Sequence, residues 1–236
     1  MESVAVLGLG LIGGSFALAL RREGLAKRVA GFDADQQVTR RAQERGAITH
    51  ACSTPEEALR EADLVLLATP VLAMRELLER IAPVLKRGAL VTDTASTKTQ
   101  VVAWAEMLLP GHVSFVGGHP MAGKEYSGIE SAEAGLFEGS TYCLVRSRQT
   151  SPAAIARLAG IIERLGAHPY MLDAEQHDRL VAGISHLPFV LSSAMVQALG
   201  AAQDWPEMAR LAASGYRDMS RLAAGSPTMY RDICCL

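Results

Sequence analysis

Apolar and polar positions follow a repeated order along most of the chain, in which a short apolar run precedes a segment with helical spacing. The apolar runs are rich in Val, Leu and Ala and occur in SVAVLGLG, RVAGFD, DLVLLATP and ALVTDTAS. The segments after them are GGSFALALRREG, ADQQVTRRAQERG, VLAMRELLERIAPVLKRG and TKTQVVAWAEMLLPG. Strands that are apolar on both faces need helices on both sides of their sheet. This order therefore predicts an α/β fold with a doubly wound, mostly parallel sheet.

The pattern changes near residue 173. Before this point, STYCLVRS and HPYMLD have the composition of further strands, and the helix between them is predicted to begin at about Pro152. From Ala174 onward, Ala, Leu, Met and Ser predominate, with helical spacing in HDRLVAGISHLPFVLSSAMVQALG and MARLAASGYRDMSRLAA. We therefore expect an α/β domain over residues 1–173 and a smaller all-helical domain over residues 174–236.

The composition is that of a globular protein with a small-molecule partner. Apolar residues make up 49% of the 236 residues and charged residues 20%, and the formal net charge of −2 does not favour nucleic acid. The apolar N-terminal run has no basic leading segment and is too short to cross a membrane. No spacing typical of a zinc site or a disulfide framework occurs among Cys52, Cys143, Cys234 and Cys235. This predicts reduced thiols, a cytoplasmic location and no metal.

A glycine motif joins the first predicted strand to the first predicted helix. Gly8, Gly10 and Gly13 form GxGxxG, and Asp33 ends the second strand about 20 residues later. The motif alone would also fit a tight turn with close helix packing. With Asp33 at a position suited to an adenosine ribose, it predicts a Rossmann-type dinucleotide-binding domain.

The same region indicates which dinucleotide is bound. The glycines would let a pyrophosphate lie against the backbone amides of the first helical residues, Leu11 and Ile12. The Asp33 carboxylate would repel a 2′-phosphate, and the following ADQQ contains no arginine or lysine to receive one. NAD is therefore favoured over NADP, although Arg40 and Arg41 lie on the next helix and could reach back.

Thr69 and Pro70 follow the strand DLVLL at the carboxyl edge of the predicted sheet, where ligands bind in open parallel sheets. Both are candidate cofactor contacts. A simple turn from strand to helix explains Thr69 equally well.

Two candidate catalytic residues follow later strands at this edge. His119 lies between two glycines and a proline, which leave room above its ring, and a neutral imidazole there could accept a substrate proton. The alternative for His119 is a buried structural histidine. Ser96 in DTASTK could serve the site, cap the next helix, or do both. The polar or turn-like surroundings of four other histidines predict exposure to water: His50, His112, His168 and His177.

Several motifs point to one family when taken together. They are GLGLIGGSFALAL, ATPV, DTASTK, GGHPMAG with SG four residues later, SHLPF and YRDMSRLAAGSPTMYRDI. In order, and over essentially the whole chain, they resemble the prephenate and arogenate dehydrogenases. Dehydrogenases of the 3-hydroxyacid and imine-reducing types share the glycine loop but not GGHPMAG with SHLPF.

The resemblance implies NAD(P)-dependent oxidative decarboxylation of a cyclohexadienol, giving 4-hydroxyphenylpyruvate or tyrosine. It implies that His119 accepts the hydrogen bond of the ring hydroxyl, that Ser96 supports it, and that Arg221 binds a substrate carboxylate. His186 matches another substrate-side position, with a packed histidine as its alternative. The resemblance also implies a homodimer through the helical domain.

Arg217 and Asp218 are either a solvated pair or partners of Glu125 at the pocket entrance.

The sequence departs from the family pattern in two places. Family members continue for several helices after the segment that matches PTMYRDI, so we expect a short member or one that lacks a tail, with consequences for dimer stability and activity. Tyr230 stands where tryptophan is common. Two rival functions remain open: a 3-hydroxyacid or imine-type oxidoreductase, although residues 174–236 contain no lysine, and a non-catalytic NAD-binding sensor.

Overall fold

An eight-stranded sheet forms the centre of the protein in the computed structural model, which describes residues 1–124, 126–148 and 150–235. The strands are β1 (Ser3–Leu7), β2 (Arg28–Phe32), β3 (His50–Ala51), β4 (Leu64–Leu67), β5 (Leu90–Asp93), β6 (Ser114–Pro120), β7 (Thr141–Arg146) and β8 (His168–Leu172). Their order in the sheet is β3-β2-β1-β4-β5-β6-β7-β8. All neighbouring pairs are parallel except β6 and β7, which are antiparallel.

Helices cover both faces of this sheet and form the C-terminal part of the chain. They are α1 (Leu11–Arg22), α2 (Gln36–Glu44), α3 (Pro55–Leu59), α4 (Val71–Ile81), α5 (Thr99–Leu108), α6 (Pro152–Arg164), α7 (Ala174–Val181), α8 (Leu187–Gly200), α9 (Trp205–Leu211), α10 (Ser214–Ser220) and α11 (Pro227–Cys234). Short 3-10 turns occur at Ala82–Val84, Ile129–Ser131 and Arg221–Ala224, and a π-helical turn at Ala182–His186 joins α7 to α8.

Alternate residues of the central strands enter two separate apolar cores. Val4 and Val6 of β1 pack in the core beneath α1 and α6, whereas Ala5 and Leu7 pack in the core beneath α4 and α5. This confirms the predicted doubly wound α/β sheet.

Two features of the sheet were not predicted. β3 contains only His50 and Ala51, too few residues to produce a recognisable pattern. β7 runs antiparallel to β6 because the described residues between them, 121–124 and 126–140, form a loop with one 3-10 turn, rather than the helical crossover that a parallel pair needs.

Parallel pairing places the carboxyl ends of four strands at one edge of the sheet. β1, β4, β5 and β6 are adjacent and parallel, so the loops that begin at Gly8, Ala68 and Thr94 emerge at the same edge as His119 near the end of β6. The predicted cofactor and catalytic segments therefore share this edge.

Two of the C-terminal helices pack against the sheet domain. α7 packs against α5 and β7, and α11 packs against α4. α7, the π-helical turn and α8 form one helical stretch, Ala174–Gly200, of 27 residues. By length and composition alone this stretch could cross a membrane, and only 11% of its most apolar window is buried within the chain.

Candidate active site

The glycine loop after β1 has the shape of a dinucleotide cradle. Gly8 has a φ of 96°, and a Cβ atom there would lie 2.4 Å from the carbonyl oxygen of Ala68. A Cβ on Gly13 would lie 2.0 Å from the carbonyl oxygen of Gly8. A Cβ on Gly10, in contrast, would meet no described residue within 4 Å. The fold itself thus requires Gly8 and Gly13, whereas Gly10 leaves open space in front of the N-terminus of α1.

Asp33 holds this loop in place. Its carboxylate accepts hydrogen bonds from the backbone N–H groups of Leu9, at 2.8 Å, and Asp35, at 3.0 Å. A carboxylate has about four acceptor positions, so these two bonds leave capacity for the hydroxyl groups of a ribose. Gly10 precedes α1 without a side-chain cap from the described residues, so the amides of Leu11 and Ile12 have no side-chain acceptor competing with an anion.

Thr69 lies beside the glycine loop, at the end of β4. Its backbone nitrogen would be 3.0 Å from a Cβ on Gly8. Its Oγ1 atom is buried and has no hydrogen-bond partner among the described residues. A buried hydroxyl without a partner is unfavourable, and a ligand hydroxyl or amide would satisfy it. Pro70 immediately precedes α4. These features fit a bound dinucleotide.

His119 lies at the same edge, near the end of β6, with 8% of its surface exposed. Its Nδ1 atom is 2.9 Å from Nε2 of His177, and the two ring centroids are 5.1 Å apart in an edge-to-face arrangement. Burial first, and then the positive charge of Lys98, hold the pKa of His119 well below 6.5. His119 is therefore a neutral imidazole at physiological pH.

The prediction that His177 faces water was wrong, because His177 is fully buried. Asp173 caps α7 through the N–H of Gln176, and α7 then packs with one face against α5 and β7. His177 and Val181, one helical turn apart, both lie on this buried face. The sequence did contain one signal for the burial of His177: the apolar Val181 follows it by four residues, the spacing of one helix face.

Asp178 joins His177 to the start of α5. Its Oδ1 atom is 2.8 Å from Nδ1 of His177 and accepts a hydrogen bond from the N–H of Lys98 at 2.7 Å, while Oδ2 accepts one from the N–H of Thr99 at 2.8 Å. Burial raises the pKa of Asp178, but the hydrogen bonds from His177, Thr99 and Lys98 outweigh burial and lower it below its usual value. Asp178 is therefore an ionised cap for a helix distant in sequence.

A buried ion pair fixes the backbone before His119. Lys98 and Asp93 are both fully buried and hydrogen-bond to each other. Lys98 Nζ also donates to the carbonyl oxygen of Gly118 at 2.7 Å, and Asp93 Oδ1 accepts from the N–H of Gly118 at 3.0 Å. Burial lowers the pKa of Lys98, and the Asp93 carboxylate opposes this by favouring the charged form. The pair thus holds the peptide groups on both sides of Gly118.

Ser96 is half-buried in the loop between β5 and α5. It does not cap α5, because the helix begins at Thr99 and the residue before it, Lys98, makes no capping bond with its side chain. The cap comes from Asp178 instead. The helix-cap alternative for Ser96 is therefore wrong, and its supporting role beside His119 stays a prediction.

His186 ends the π-helical turn Ala182–His186 and lies close enough to His119 to influence its pKa. Its Nε2 atom is buried without a partner among the described residues, and burial lowers the pKa of His186. π-helical turns occur often at functional sites. The position fits the predicted substrate-side role, which stays a prediction.

Arg221 begins the 3-10 turn Arg221–Ala224, and its side chain is exposed. Arg217 and Asp218 form an exposed ion pair at 3.7 Å. The hypothesis that Glu125 joins them lies outside the described residues. The role of Arg221 as a carboxylate clamp stays a prediction.

Tyr230 of α11 packs against α8. Its ring stacks on Phe189, with centroids 3.4 Å apart and an interplanar angle of 3°. Gly225 lies beside the stack, where a Cβ atom would be 2.7 Å from the Tyr230 ring. The tyrosine at this position therefore has a packing role within the helical part.

Comparison with known families gives a consistent result. Two family models match the chain: the nucleotide-binding domain of prephenate dehydrogenase over residues 16–171, and the dimerization domain of prephenate dehydrogenase over residues 173–236. The prephenate dehydrogenase of Bacillus subtilis is 36% identical over 98% of the chain. The chain spans 63% of the length of that relative.

Two solved structures are similar to nearly the whole chain. One is prephenate dehydrogenase from Aquifex aeolicus in complex with hydroxyphenyl propionate and NAD⁺, with a TM-score of 0.91, 32% identity, and coverage of 100% of this chain and 82% of that one. The other is arogenate dehydrogenase from Synechocystis, with a TM-score of 0.83, 36% identity, and coverage of 99% and 83%.

Proposed function

The chain belongs to the prephenate dehydrogenase family, and from that premise we propose that it catalyses the NAD-dependent oxidative decarboxylation of prephenate, arogenate or both. The products would be 4-hydroxyphenylpyruvate and tyrosine, respectively. The observation that carries the proposal is the buried, neutral His119 at the sheet edge that also presents the glycine loop.

The reaction needs few protein groups. The glycine loop and Asp33 would hold NAD, which would supply the acceptor for the hydride of the hydroxyl-bearing ring carbon. His119 accepts the hydroxyl proton, which requires a neutral imidazole within hydrogen-bond reach. Loss of carbon dioxide from the ring then produces an aromatic product. Because aromatisation drives this step, the remaining task of the protein is to orient the substrate.

Two further residues are proposed to orient the substrate. Arg221 has the planar guanidinium group that suits a carboxylate, and prephenate carries two carboxylates. His186, near His119, offers its buried Nε2 atom as a further polar contact. Ser96 follows β5 at the same edge and supports the pair formed by His119 and the hydroxyl group.

NAD is proposed as the cofactor in preference to NADP. Asp33 faces the glycine loop through its bond to Leu9, so its charge lies where a 2′-phosphate would otherwise be placed. Gly8 and Gly13 would shape the loop, Gly10 would leave room for the pyrophosphate, and Thr69 and Pro70 would lie beside it.

The domain division and the assembly follow the same proposal. Residues 1–173 would bind the dinucleotide, and residues 174–236 would complete the substrate site and form a homodimer. A cytoplasmic location accords with the four cysteines, which are all free thiols in the structure.

The decisive experiment follows NADH absorbance after NAD and either prephenate or arogenate are mixed with the purified protein. We expect absorbance to increase with at least one substrate. His119→Asn should lower kcat by about 10²- to 10⁴-fold, the usual contribution of a positioned acid or base. NAD affinity, measured by calorimetry, should be unchanged because His119 lies outside the glycine loop.

Two results would contradict the proposed function. NAD binding without turnover of either substrate would favour the non-catalytic sensor. Turnover of a 3-hydroxyacid or reduction of an imine, with neither cyclohexadiene accepted, would favour the other enzyme class.

A further inference from the structure

Three side chains form a hydrogen-bonded line from α7 to the sheet edge: the half-buried Asp178 and the buried His177 and His119. We propose that His177 and Asp178 are positioning residues that fix the tautomer of His119, so that its Nε2 atom is the proton acceptor. This inference rests on the proposed function, because it assigns how that function's acceptor is prepared.

Asp178 determines which atom donates and which accepts in each hydrogen bond of the line. Its two carboxylate oxygens already accept the backbone N–H groups of Lys98 and Thr99. An ionised carboxylate has no proton to donate. The hydrogen bond between Asp178 and Nδ1 of His177 therefore requires the proton to be on Nδ1.

The protonated nitrogen of His177 determines which nitrogen of His119 is protonated. A neutral imidazole carries one N–H, so a neutral His177 that donates from Nδ1 has a lone pair on Nε2. This Nε2 atom lies 2.9 Å from Nδ1 of His119. Since Nε2 of His177 has only a lone pair, Nδ1 of His119 must donate the proton in this hydrogen bond. His119 consequently has its proton on Nδ1 and a lone pair on Nε2, the nitrogen that does not face His177.

The charges around His119 determine what happens when it accepts a proton. The hydroxyl proton would bind Nε2, and His119 would become an imidazolium with its original proton still on Nδ1. Lys98 opposes this positive charge, whereas Asp178 favours it. The hydrogen-bonded route through His177 is the means by which the Asp178 carboxylate stabilises the imidazolium.

The line also links the acceptor to the helical part of the chain. His177 and Asp178 belong to α7, whereas the residues they contact belong to β6 and the start of α5. The tautomer of His119 thus depends on the packing of α7 against the sheet domain.

The test uses two substitutions of His177 and reads the tautomer directly. In His177→Gln the side-chain oxygen can still accept the Nδ1–H of His119, whereas in His177→Leu nothing replaces the acceptor. Nitrogen-15 NMR of histidine-labelled protein reports which ring nitrogen is protonated. We expect the proton on Nδ1 of His119 in the unmodified protein and in His177→Gln. In His177→Leu we expect a mixture of the two His119 tautomers.

Kinetics supply the second measurement. His177→Leu should lower kcat about 10- to 100-fold, by analogy with the loss typical when the partner that orients a metal-bound histidine is removed. His177→Gln should recover most of this loss, and the KM for NAD should stay unchanged in both variants. His168→Leu is the matched control, since His168 is exposed at the start of β8 and the same substitution there should change neither the tautomer nor kcat.

Folding and function are separated by further readouts. Thermal unfolding and NAD binding show whether His177→Leu is folded, and Asp178→Asn provides a second variant that should also disturb the tautomer. A proton on Nε2 of His119 in the unmodified protein, or equal kcat values for His177→Leu and the unmodified protein, would overturn the proposal. The expected tautomer without turnover of either substrate would support the arrangement of the line and contradict the proposed function instead.

Discussion

At the residue scale, the surroundings of His119 resist its protonation, which is what its proposed role as proton acceptor requires. His119 is 8% exposed, and Lys98 places a positive charge nearby. Both effects disfavour the imidazolium. The Asp178 carboxylate acts in the opposite direction, through His177. The balance gives a base that stays available well into mildly acidic solution.

This balance predicts the pH dependence of the reaction. Because the pKa of His119 in the folded protein lies well below 6.5, the acid limb of kcat/KM assigned to it should also lie below 6.5. A profile of kcat/KM against pH for the unmodified protein checks this. His168→Leu should give the same profile, and a limb at or above 6.5 that disappears in His119→Asn would contradict it.

The same shift has a consequence for stability. In the unfolded chain His119 would take up a proton near pH 6.5, whereas in the folded protein it does so only at lower pH. The unfolded state therefore binds more protons in this interval, and the contribution of His119 to stability falls as the pH drops from 6.5 to its folded pKa. Below that pKa the contribution changes no further.

The sequence revealed His119 but not its partner. Gly117, Gly118 and Pro120 set His119 apart within its own segment, so local pattern was sufficient. His177 is buried by the packing of α7 on distant elements, whereas its polar neighbours along the chain indicated exposure. The tertiary environment of a single side chain is a property of the assembled fold.

At the element scale, the alternation of strands and helices in the sheet domain followed directly from apolar periodicity. The start of α5 did not, because its cap is Asp178, which lies 80 residues from Lys98 in the sequence. Local capping rules pointed to Ser96, the nearest suitable residue. The sequence also could not predict that β7 runs antiparallel to β6, since an apolar run pairs equally well in either direction.

The glycine loop allows a matched pair of substitutions. Gly13→Ala would place a methyl group 2.0 Å from the Gly8 carbonyl oxygen, so we expect a clear loss of thermal stability. Gly10→Ala meets no described residue within 4 Å, so stability should be nearly unchanged. The added methyl group would instead occupy the pyrophosphate position, and NAD affinity should fall at least about tenfold, or about 1.4 kcal/mol.

Thermal unfolding and NAD calorimetry of both variants test this difference. Gly123→Ala is a suitable control, because a Cβ atom there also meets no described residue and Gly123 lies outside the glycine loop. Full NAD affinity in Gly10→Ala would show that the loop does not approach the cofactor.

At the scale of the whole molecule, the helical part leaves a large apolar surface uncovered. Ile184, Leu187 and Leu191 have 71%, 52% and 54% of their surfaces exposed, and their spacing places them on one side of the stretch Ala174–Gly200. Contiguous exposed apolar surface of this kind marks an interaction site. His186, in contrast, has a buried Nε2 atom, so the same stretch contributes one face to the site and another to the exterior.

We expect a second copy of the chain to cover this exterior face, in keeping with the dimerization domain that the family model assigns to residues 173–236. Light scattering after size exclusion should then give a dimer, and Leu187→Glu with Leu191→Glu should give a folded monomer, because two charges would be buried without partners at the interface. Met107→Glu is the control, since Met107 is 63% exposed on α5. A double variant that stays dimeric, or an unmodified protein that is monomeric and sediments with phosphatidylcholine vesicles, would contradict this assembly.

Because His177 and Asp178 lie on α7, at the start of the same helical stretch, a loss of turnover that accompanies the monomer would indicate that dimer formation holds α7 against the acceptor.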